Sequence, residues 1–248
     1  MHGRTLGHAA PDRESPDSPV KEKLQKASLE TRAPFEDLPP CIMGETFHHK
    51  GWHSRGYLPH LDAAGEIQAL TFRLADALPA KLVLGWKREL EERGTCDETQ
   101  REHQLHRWVA RYEDAGHGSC RLREPACAQI VQTALLYFDG QRYRLLDWCV
   151  MPNHVHVLIH CCFGTMLGEI VRSWKTFTAR QIHAQTGTSG KLWAVDYHDR
   201  YIRDLDHLAN ARAYIRNNPV KAGLCDQPGD WPWSGAGERK DRESPDSL

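Results

Sequence analysis

The sequence lacks the long apolar segments of a membrane or secreted protein. Its 248 residues contain no run of about 18 apolar residues, which excludes a transmembrane helix. Residues 1–17 also lack the apolar stretch of a signal peptide. We therefore expect a cytoplasmic protein with no membrane partner.

Cysteine pairs with metal-binding spacing are absent as well. None of the eight cysteines forms a CxxC pair. Cys161 and Cys162 are adjacent, which favours neither a disulfide framework nor a zinc finger. The sequence therefore predicts reduced thiols.

Both ends of the chain lack apolar periodicity. Residues 1–40 and 236–248 are rich in charge, proline and serine, and we predict that both are disordered tails. The heptapeptide DRESPDS at residues 12–18 recurs at residues 241–247. One domain is expected between the tails, at residues 41–235.

Apolar periodicity predicts the secondary structure of this domain. In one helix the inward stripe is expected to extend from Leu167 to Phe177, and Asp204 is a candidate cap for the last helix. In chain order, the predicted elements are a strand at 66–74, helices at 79–93 and 99–114, a helix beginning at Pro125, strands at 142–150 and 154–160, a helix beginning near Gly164, a strand at 197–203 and a helix at about 205–218.

The element order is β-α-β-β-α-β plus a helix, with a helical insertion at about 79–114 after the first strand. This order is typical of the α+β class, and specifically of the ferredoxin-like split βαβ arrangement. It predicts an antiparallel sheet with helices packed on it.

Two histidines form the sharpest local pattern. His154 and His156 are two residues apart on a predicted strand, so both imidazoles project from one face while Val155 and Val157 project from the other. This spacing lets both rings bind one Mn²⁺, Zn²⁺ or Mg²⁺ ion. Alternatively, both are strand histidines that hydrogen-bond to the backbone or to solvent.

A tyrosine and an asparagine form the second pattern. Tyr214 and Asn218 are four residues apart, so they share one face of the last helix and their oxygens can approach one point. Pro219 disfavours helical geometry at Asn218, and we expect the helix to end or kink there. The alternative is a packing tyrosine near a helix end.

Basic residues are concentrated in one segment, although the formal net charge of the chain is −1. Residues 166–221 contain nine basic and five acidic residues, so any nucleic-acid-binding surface is expected there. Alternatively, these residues form solvated helix faces. The residues proposed to contact DNA are Arg172, Lys175, Arg180, Arg216 and Lys221.

Six stretches together resemble the REP-associated tyrosine transposases, a branch of the single-tyrosine HUH transposases. The VMPNHVHVL and YIRNNPVKAGL stretches carry most of the specificity. The stretches are RGYLPHLD at 55–62, FRLAD at 72–76, VMPNHVHVL at 150–158, DRYIRD at 199–204, YIRNNPVKAGL at 214–224 and DWPWS at 230–234.

The resemblance implies a ferredoxin-like fold and a site in which His154, His156 and Asn218 bind Mg²⁺ or Mn²⁺. It implies Tyr214 as the nucleophile in cleavage and rejoining of single-stranded DNA, through a 5′-phosphotyrosine intermediate. The implied substrates carry short palindromes that form hairpins, and the enzyme is expected as a monomer or homodimer.

Two other functions compete with this interpretation. A non-catalytic DNA-hairpin binder, domesticated from such an enzyme, would need none of these four residues. A metal-dependent nuclease that uses water would need the histidines but not Tyr214. Formation of a covalent protein–DNA adduct distinguishes all three.

Overall fold

The structure is a computed structural model that describes residues 51–54, 59–62, 65–94 and 97–237. The predicted tails at 1–40 and 236–248 lie outside these residues, apart from Ala236 and Gly237, and so do residues 55–58 of the stretches that carry the resemblance. The limits of the domain at 41–235 therefore remain predictions.

A four-stranded antiparallel sheet is the centre of the fold. Its strands are β3 (Ile67–Arg73), β4 (Tyr143–Val150), β5 (His154–Cys161) and β6 (His198–Tyr201), in the spatial order β4-β5-β3-β6. All pairs are antiparallel. This is the order of a split βαβ fold, so the predicted fold class is confirmed. A separate hairpin of β1 (Gly51–Ser54) and β2 (Pro59–Asp62), which periodicity did not indicate, precedes the sheet.

Five α-helices accompany the strands in the described part of the chain. Two of them, α1 (Ala80–Glu92) and α2 (Glu98–Asp114), form the predicted insertion after β3. The remaining helices are α3 (Pro125–Tyr137), α4 (Leu167–Thr186) and α5 (Leu205–Lys221). The side chain of Asp204 accepts a hydrogen bond from the backbone N–H of His207, as expected for a cap of α5.

Helices α3 and α4 cover one face of the sheet. Val155, Val157 and Ile159 of β5 point into this core, as the alternation of the strand predicted. The Trp174 indole of α4 donates a hydrogen bond to the Tyr143 hydroxyl of β4 at 2.9 Å. Apolar burial therefore fixes the strands on this face.

Helix α5 packs on the opposite face of the sheet. A β-bulge between Leu145 and Asp147 shifts the alternation of β4 and places Asp147 opposite Leu158, on the α5 side. There the buried Asp147 carboxylate pairs with the Arg216 guanidinium of α5 at 2.6 Å. The bulge thus creates a polar anchor for the helix that carries Tyr214.

Two details of the helices differ from the predictions. Phe177 is 45% exposed, because the buried stripe of α4 continues through Thr178, whose hydroxyl accepts a hydrogen bond from Trp193. Helix α5 does not end at Asn218 but continues through Pro219 to Lys221. Burial of both Asn218 and Pro219 offsets the hydrogen bond that proline cannot donate.

The cysteines agree only in part with the prediction of reduced thiols. Cys120, Cys127, Cys149 and Cys225 are free thiols. Cys162 takes part in a disulfide, so the prediction was wrong at that position. Within the described ranges, no helix has the length and apolar character needed to cross a membrane.

Candidate active site

The two histidines of β5 lie together beneath α5. Both are buried, and their Nε2 atoms are 2.9 Å apart. The shared strand face predicted from the sequence is therefore present. Burial lowers the pKa of His156 to about 3 and the pKa of His154 well below its ordinary value, so both rings are neutral near pH 7. A neutral imidazole is the form that binds a metal ion.

Asn153 determines the tautomer of His154. Its amide nitrogen donates to the backbone carbonyls of Glu113 and His117, at 3.0 and 2.9 Å. The amide oxygen therefore faces His154 Nδ1, 2.7 Å away, and that nitrogen must carry the proton. His154 Nε2 is consequently left with a lone pair that points towards His156. The other ring nitrogen of His156, Nδ1, forms a hydrogen bond with Thr71 Oγ1 at 2.8 Å.

Asn218 and Tyr214 approach the histidines from α5. The Asn218 amide nitrogen is 3.1 Å from His156 Nε2. Its buried Oδ1 has no hydrogen-bond partner in the part of the chain that the structure describes. The Tyr214 ring meets His156 edge to face, with ring centroids 5.3 Å apart. Tyr214 and Asn218, which are four residues apart on one face of α5 as predicted, therefore both lie next to the histidines.

The helical insertion contributes two carboxyl groups. Asp114, the last residue of α2, lies 3.6 Å from His154 Nε2 and 3.4 Å from Asn218 Nδ2. Burial raises the pKa of Asp114, opposed by the Asn218 hydrogen bond and by Lys221. Glu113 pairs with Arg73 at 3.2 Å, but burial still raises the pKa of Glu113 to about 7.

The Tyr214 hydroxyl is a poor nucleophile in this environment without assistance. Burial raises its pKa above the ordinary value near 10, and the charges of Asp114 and Glu113 raise it further. A hydrogen bond between the Asn218 side chain and the Tyr214 hydroxyl opposes this rise in the pKa. The ring is 37% exposed and lies 5.3 Å from the Lys221 ammonium, so the residue is open to a substrate.

The donor atoms fit a divalent cation. Each histidine has its Nδ1 occupied, so both Nε2 atoms face the interior of the site. Asn218 turns its amide nitrogen towards His156 and Asp114, and a half-turn of the amide would bring its buried, unpartnered Oδ1 to the same point as an oxygen donor. Asp114, His154 and His156 offer ligand atoms that all lie within 4.8 Å of one another. Mixed imidazole and oxygen donors are typical of Mn²⁺ and Zn²⁺ sites, and of Mg²⁺ when phosphate and water complete the shell.

The five residues expected to contact DNA are not gathered at this site. Arg172 and Arg180 are exposed on α4, which packs on the opposite face of the sheet. Lys175 donates hydrogen bonds to three backbone carbonyls at residues 194–196, and Arg216 pairs with Asp147. Only Lys221 lies beside Tyr214. Their DNA-binding role stays a prediction.

Sequence reasoning missed three residues of this site: Thr71, Asp114 and Asn153. Asn153 directly precedes His154 in the VMPNHVHVL stretch, so its place in that stretch was a usable signal. Thr71 could have been found only from the register of β3 against β5. Asp114 ends an amphipathic helix in the insertion, and nothing in its local pattern indicates a ligand.

Comparisons with known proteins find similarity to transposases. Residues 125–218 match the family model described as "Transposase IS200 like". A Haemophilus influenzae protein described as a REP-associated tyrosine transposase is 30% identical over 96 residues, which cover 35% of this chain and 54% of that protein. The chain therefore matches about half the length of this curated relative.

Two solved structures are also similar. One is a REP-associated tyrosine transposase bound to a REP hairpin, with a TM-score of 0.46 and 18% identity, covering 81% of this chain and 87% of that one. The other is a transposase-like protein of Deinococcus radiodurans, with a TM-score of 0.28 and 15% identity, covering 67% of this chain and 96% of that one. The family model and the Haemophilus relative confirm the resemblance to the REP-associated tyrosine transposases that the sequence indicated.

Proposed function

We propose that this protein is a DNA-processing enzyme of the transposase type. In this proposal it cleaves and rejoins single-stranded DNA through a phosphotyrosine at Tyr214, with a divalent metal ion held by His154, His156 and Asn218. The observation that carries the proposal is the convergence of Tyr214 and Asn218 of α5 on the paired Nε2 atoms of β5.

The convergence matters because nucleophile and metal ligands must reach the same phosphate. Tyr214 and Asn218 share one helix, so their relative position is fixed, and Asn218 is held against His156. The Asp147–Arg216 pair anchors the same helix to β4. A shared rigid support of this kind positions reacting groups before the substrate arrives.

A bound Mg²⁺ or Mn²⁺ ion would polarise the scissile phosphate and offset the negative charge that develops there. The residues of the chain do the rest. Asn153 keeps a lone pair on His154 Nε2, and burial keeps both histidines neutral.

The chemical step is attack by Tyr214 Oη on phosphorus. The new bond joins Oη to phosphorus as the phenol gives up its proton, and the bond from phosphorus to the 3′ oxygen breaks as that oxygen takes up a proton. The products are a 5′-phosphotyrosine and a free 3′-hydroxyl. Because the covalent link conserves the phosphodiester bond energy, the hydroxyl can reverse the attack and rejoin a strand without a nucleotide cofactor.

The proposed substrate is single-stranded DNA that contains short palindromes able to form hairpins. This part rests on the resemblance carried by the VMPNHVHVL and YIRNNPVKAGL stretches. We propose that Lys221, whose ammonium lies 5.3 Å from the Tyr214 ring, contacts a phosphate near the scissile bond. A hairpin with single-stranded flanks should be cut, whereas the same sequence in a perfect duplex should not.

The direct test uses hairpin DNA labelled at both ends, incubated with the full chain and Mn²⁺ and then analysed on denaturing gels. The wild type should release a cleaved strand and form a labelled protein–DNA adduct. Tyr214→Phe removes one oxygen and should abolish both while hairpin binding persists. Tyr201→Phe, on β6, is the matched control and should behave as the wild type.

Two outcomes would favour other functions. Cleavage by Tyr214→Phe without any adduct would indicate a metal-dependent nuclease that activates water. Tight hairpin binding by the wild type with neither cleavage nor adduct, in Mg²⁺ or Mn²⁺, would indicate a non-catalytic hairpin-binding protein.

A further inference from the structure

The last residue of the insertion, Asp114, lies among the proposed metal ligands. Its carboxylate Oδ1 is 3.6 Å from His154 Nε2 and 3.4 Å from the Asn218 amide nitrogen. These groups belong to three elements that are distant in sequence, and only the fold brings them together. The carboxylate is therefore within reach of a cation placed between the histidines.

The backbone on both sides of Asp114 is held to the histidine strand. Asn153, next to His154, donates hydrogen bonds to two backbone carbonyls that flank Asp114. These belong to Glu113, directly before Asp114, and to His117, three residues after it. The buried Glu113 side chain pairs with Arg73 of β3. The end of α2 is thus tied to β3 and β5, and Asp114 does not depend on a loose loop for its position.

The other three proposed ligands carry no negative charge, which the Asp114 carboxylate would supply. Two neutral imidazoles and one amide oxygen bring no charge to a divalent cation. Carboxylate oxygens are preferred ligands of Mg²⁺ and Mn²⁺, and each adds a full negative charge. Asn218 beside this carboxylate also has a buried Oδ1 with no hydrogen-bond partner among the described residues, so that oxygen is available to a cation once the amide turns.

We infer that Asp114 is a fourth protein ligand of the metal site, supplied by the helical insertion. The site is then formed by His154 and His156 from β5, Asn218 from α5 and Asp114 from α2. The insertion is therefore part of the metal centre and not only an addition at the edge of the sheet. This inference rests on the proposed function, because it assumes that the two histidines bind a divalent ion.

The test measures Mn²⁺ binding to the full chain by calorimetry, with no DNA present. The variant is Asp114→Asn, which keeps the shape of the side chain and removes its charge. The matched control is Glu102→Gln, an exposed position on the same helix that loses the same charge. His156→Ala serves as the reference for loss of the site.

We expect wild type and Glu102→Gln to bind one Mn²⁺ ion with similar affinity, and Asp114→Asn to bind it roughly ten- to a hundredfold more weakly. Added Mn²⁺ should raise the melting temperature of the wild type more than that of Asp114→Asn. Melting without metal checks that each variant is folded. With Co²⁺ as the probe, the visible spectrum should differ between wild type and Asp114→Asn, because these bands respond to the ligands themselves and little to a distant charge.

Failure of the two proposals can be distinguished. If Asp114→Asn binds Mn²⁺ as the wild type does while His156→Ala does not, Asp114 is not a ligand and the proposed function stands. An identical Co²⁺ spectrum in Asp114→Asn would also overturn the inference. If the wild type binds no Mn²⁺ with defined stoichiometry, the proposed metal site itself is wrong.

Discussion

The two faces of strand β5 are both buried, but for different reasons. On one face Val155, Val157 and Ile159 pack against α3 and α4. On the other face His154 and His156 lie under α5 and bond to polar groups of neighbouring elements. The first face stabilises the fold by removing apolar surface from water. The second places two neutral imidazoles side by side, where the proposed metal ion would bind.

This difference shows that burial alone does not distinguish core from site. Both faces of β5 are almost fully removed from solvent. What differs is the chemistry of the buried side chains, which are mostly apolar on the core face and are imidazole and amide groups on the site face. On the core face the Tyr143 hydroxyl both accepts and donates a hydrogen bond, whereas on the site face Asn218 Oδ1 has no partner among the described residues.

The largest expected effect comes from removing a histidine. His156→Ala should lower DNA cleavage by at least about a hundredfold, because a bound metal contributes several kcal/mol of transition-state stabilisation. The variant should still fold, since the core face is untouched. Cleavage assays with matched circular-dichroism melts check both statements. Wild-type cleavage by folded His156→Ala, or undiminished cleavage by the wild type in excess chelator, would contradict the metal assignment.

The second effect concerns the anchor of α5. Arg216→Met removes the guanidinium that pairs with the buried Asp147 carboxylate and should lower the free energy of unfolding by about 1.5–3 kcal/mol. Adding Asp147→Asn should recover part of that loss, because the buried negative charge is removed. Urea denaturation measures both. If Arg216→Met keeps wild-type stability and loses only affinity for DNA, Arg216 is a DNA contact and not an anchor.

Truncating a side chain on the core face of β5 should lower the stability of the protein and leave its cleavage activity unchanged. Ile159→Ala should lower the free energy of unfolding by roughly 2–5 kcal/mol, as is usual for a buried large-to-small change. Phe177→Ala, at an exposed position of α4, is the control and should change it little. Cleavage per folded molecule should stay near wild type in both. A large activity loss in Ile159→Ala at a temperature where it is fully folded would show that the two faces are coupled.

The smallest effect is a pH dependence at Lys175, on the α4 side. Burial lowers the pKa of Lys175 to about 8, with Asp196 opposing the shift. In the unfolded chain the amine has its ordinary pKa near 10.4, so from about pH 8 to about pH 10 the unfolded state binds more protons and stability rises with pH.

Lys175→Met removes this contribution. The advantage in unfolding free energy of wild type over variant should therefore grow between about pH 7.5 and about pH 10, within the window set by the two pKa values. Urea titrations of both proteins at the two pH values measure it. A difference that stays constant would mean that the ammonium is solvated, as expected of a residue that contacts DNA.

Much of the difference between the two faces of β5 could be predicted from the sequence, because it depends on local periodicity. The two-residue repeat of a β-strand is enough to place His154 and His156 on one face of β5 and the valines on the other. The four-residue spacing likewise places Tyr214 and Asn218 together. The resemblance of the surrounding stretches gave these four residues their expected roles.

The rest could not be predicted, because it depends on contacts between distant elements. Nothing in the order of residues around Leu145 indicates the bulge that turns Asp147 towards Arg216. Asp114 is far from His154 in sequence and reaches it only because α2 ends beside β5. The rule that proline disfavours helix at the preceding residue failed at Asn218, since the packing of α5 outweighed a local preference.

The central claim is that Tyr214 forms the covalent bond to DNA, and mapping the adduct tests it most directly. After reaction with hairpin DNA and Mn²⁺, nuclease treatment leaves a short nucleotide on the protein, and trypsin then releases residues 213–216, which contain a single tyrosine. We predict that mass spectrometry finds the nucleotide on this peptide and on no other. A nucleotide on residues 192–200 or 201–203, which contain Tyr197 and Tyr201, or cleavage with no modified peptide at all, would contradict the claim.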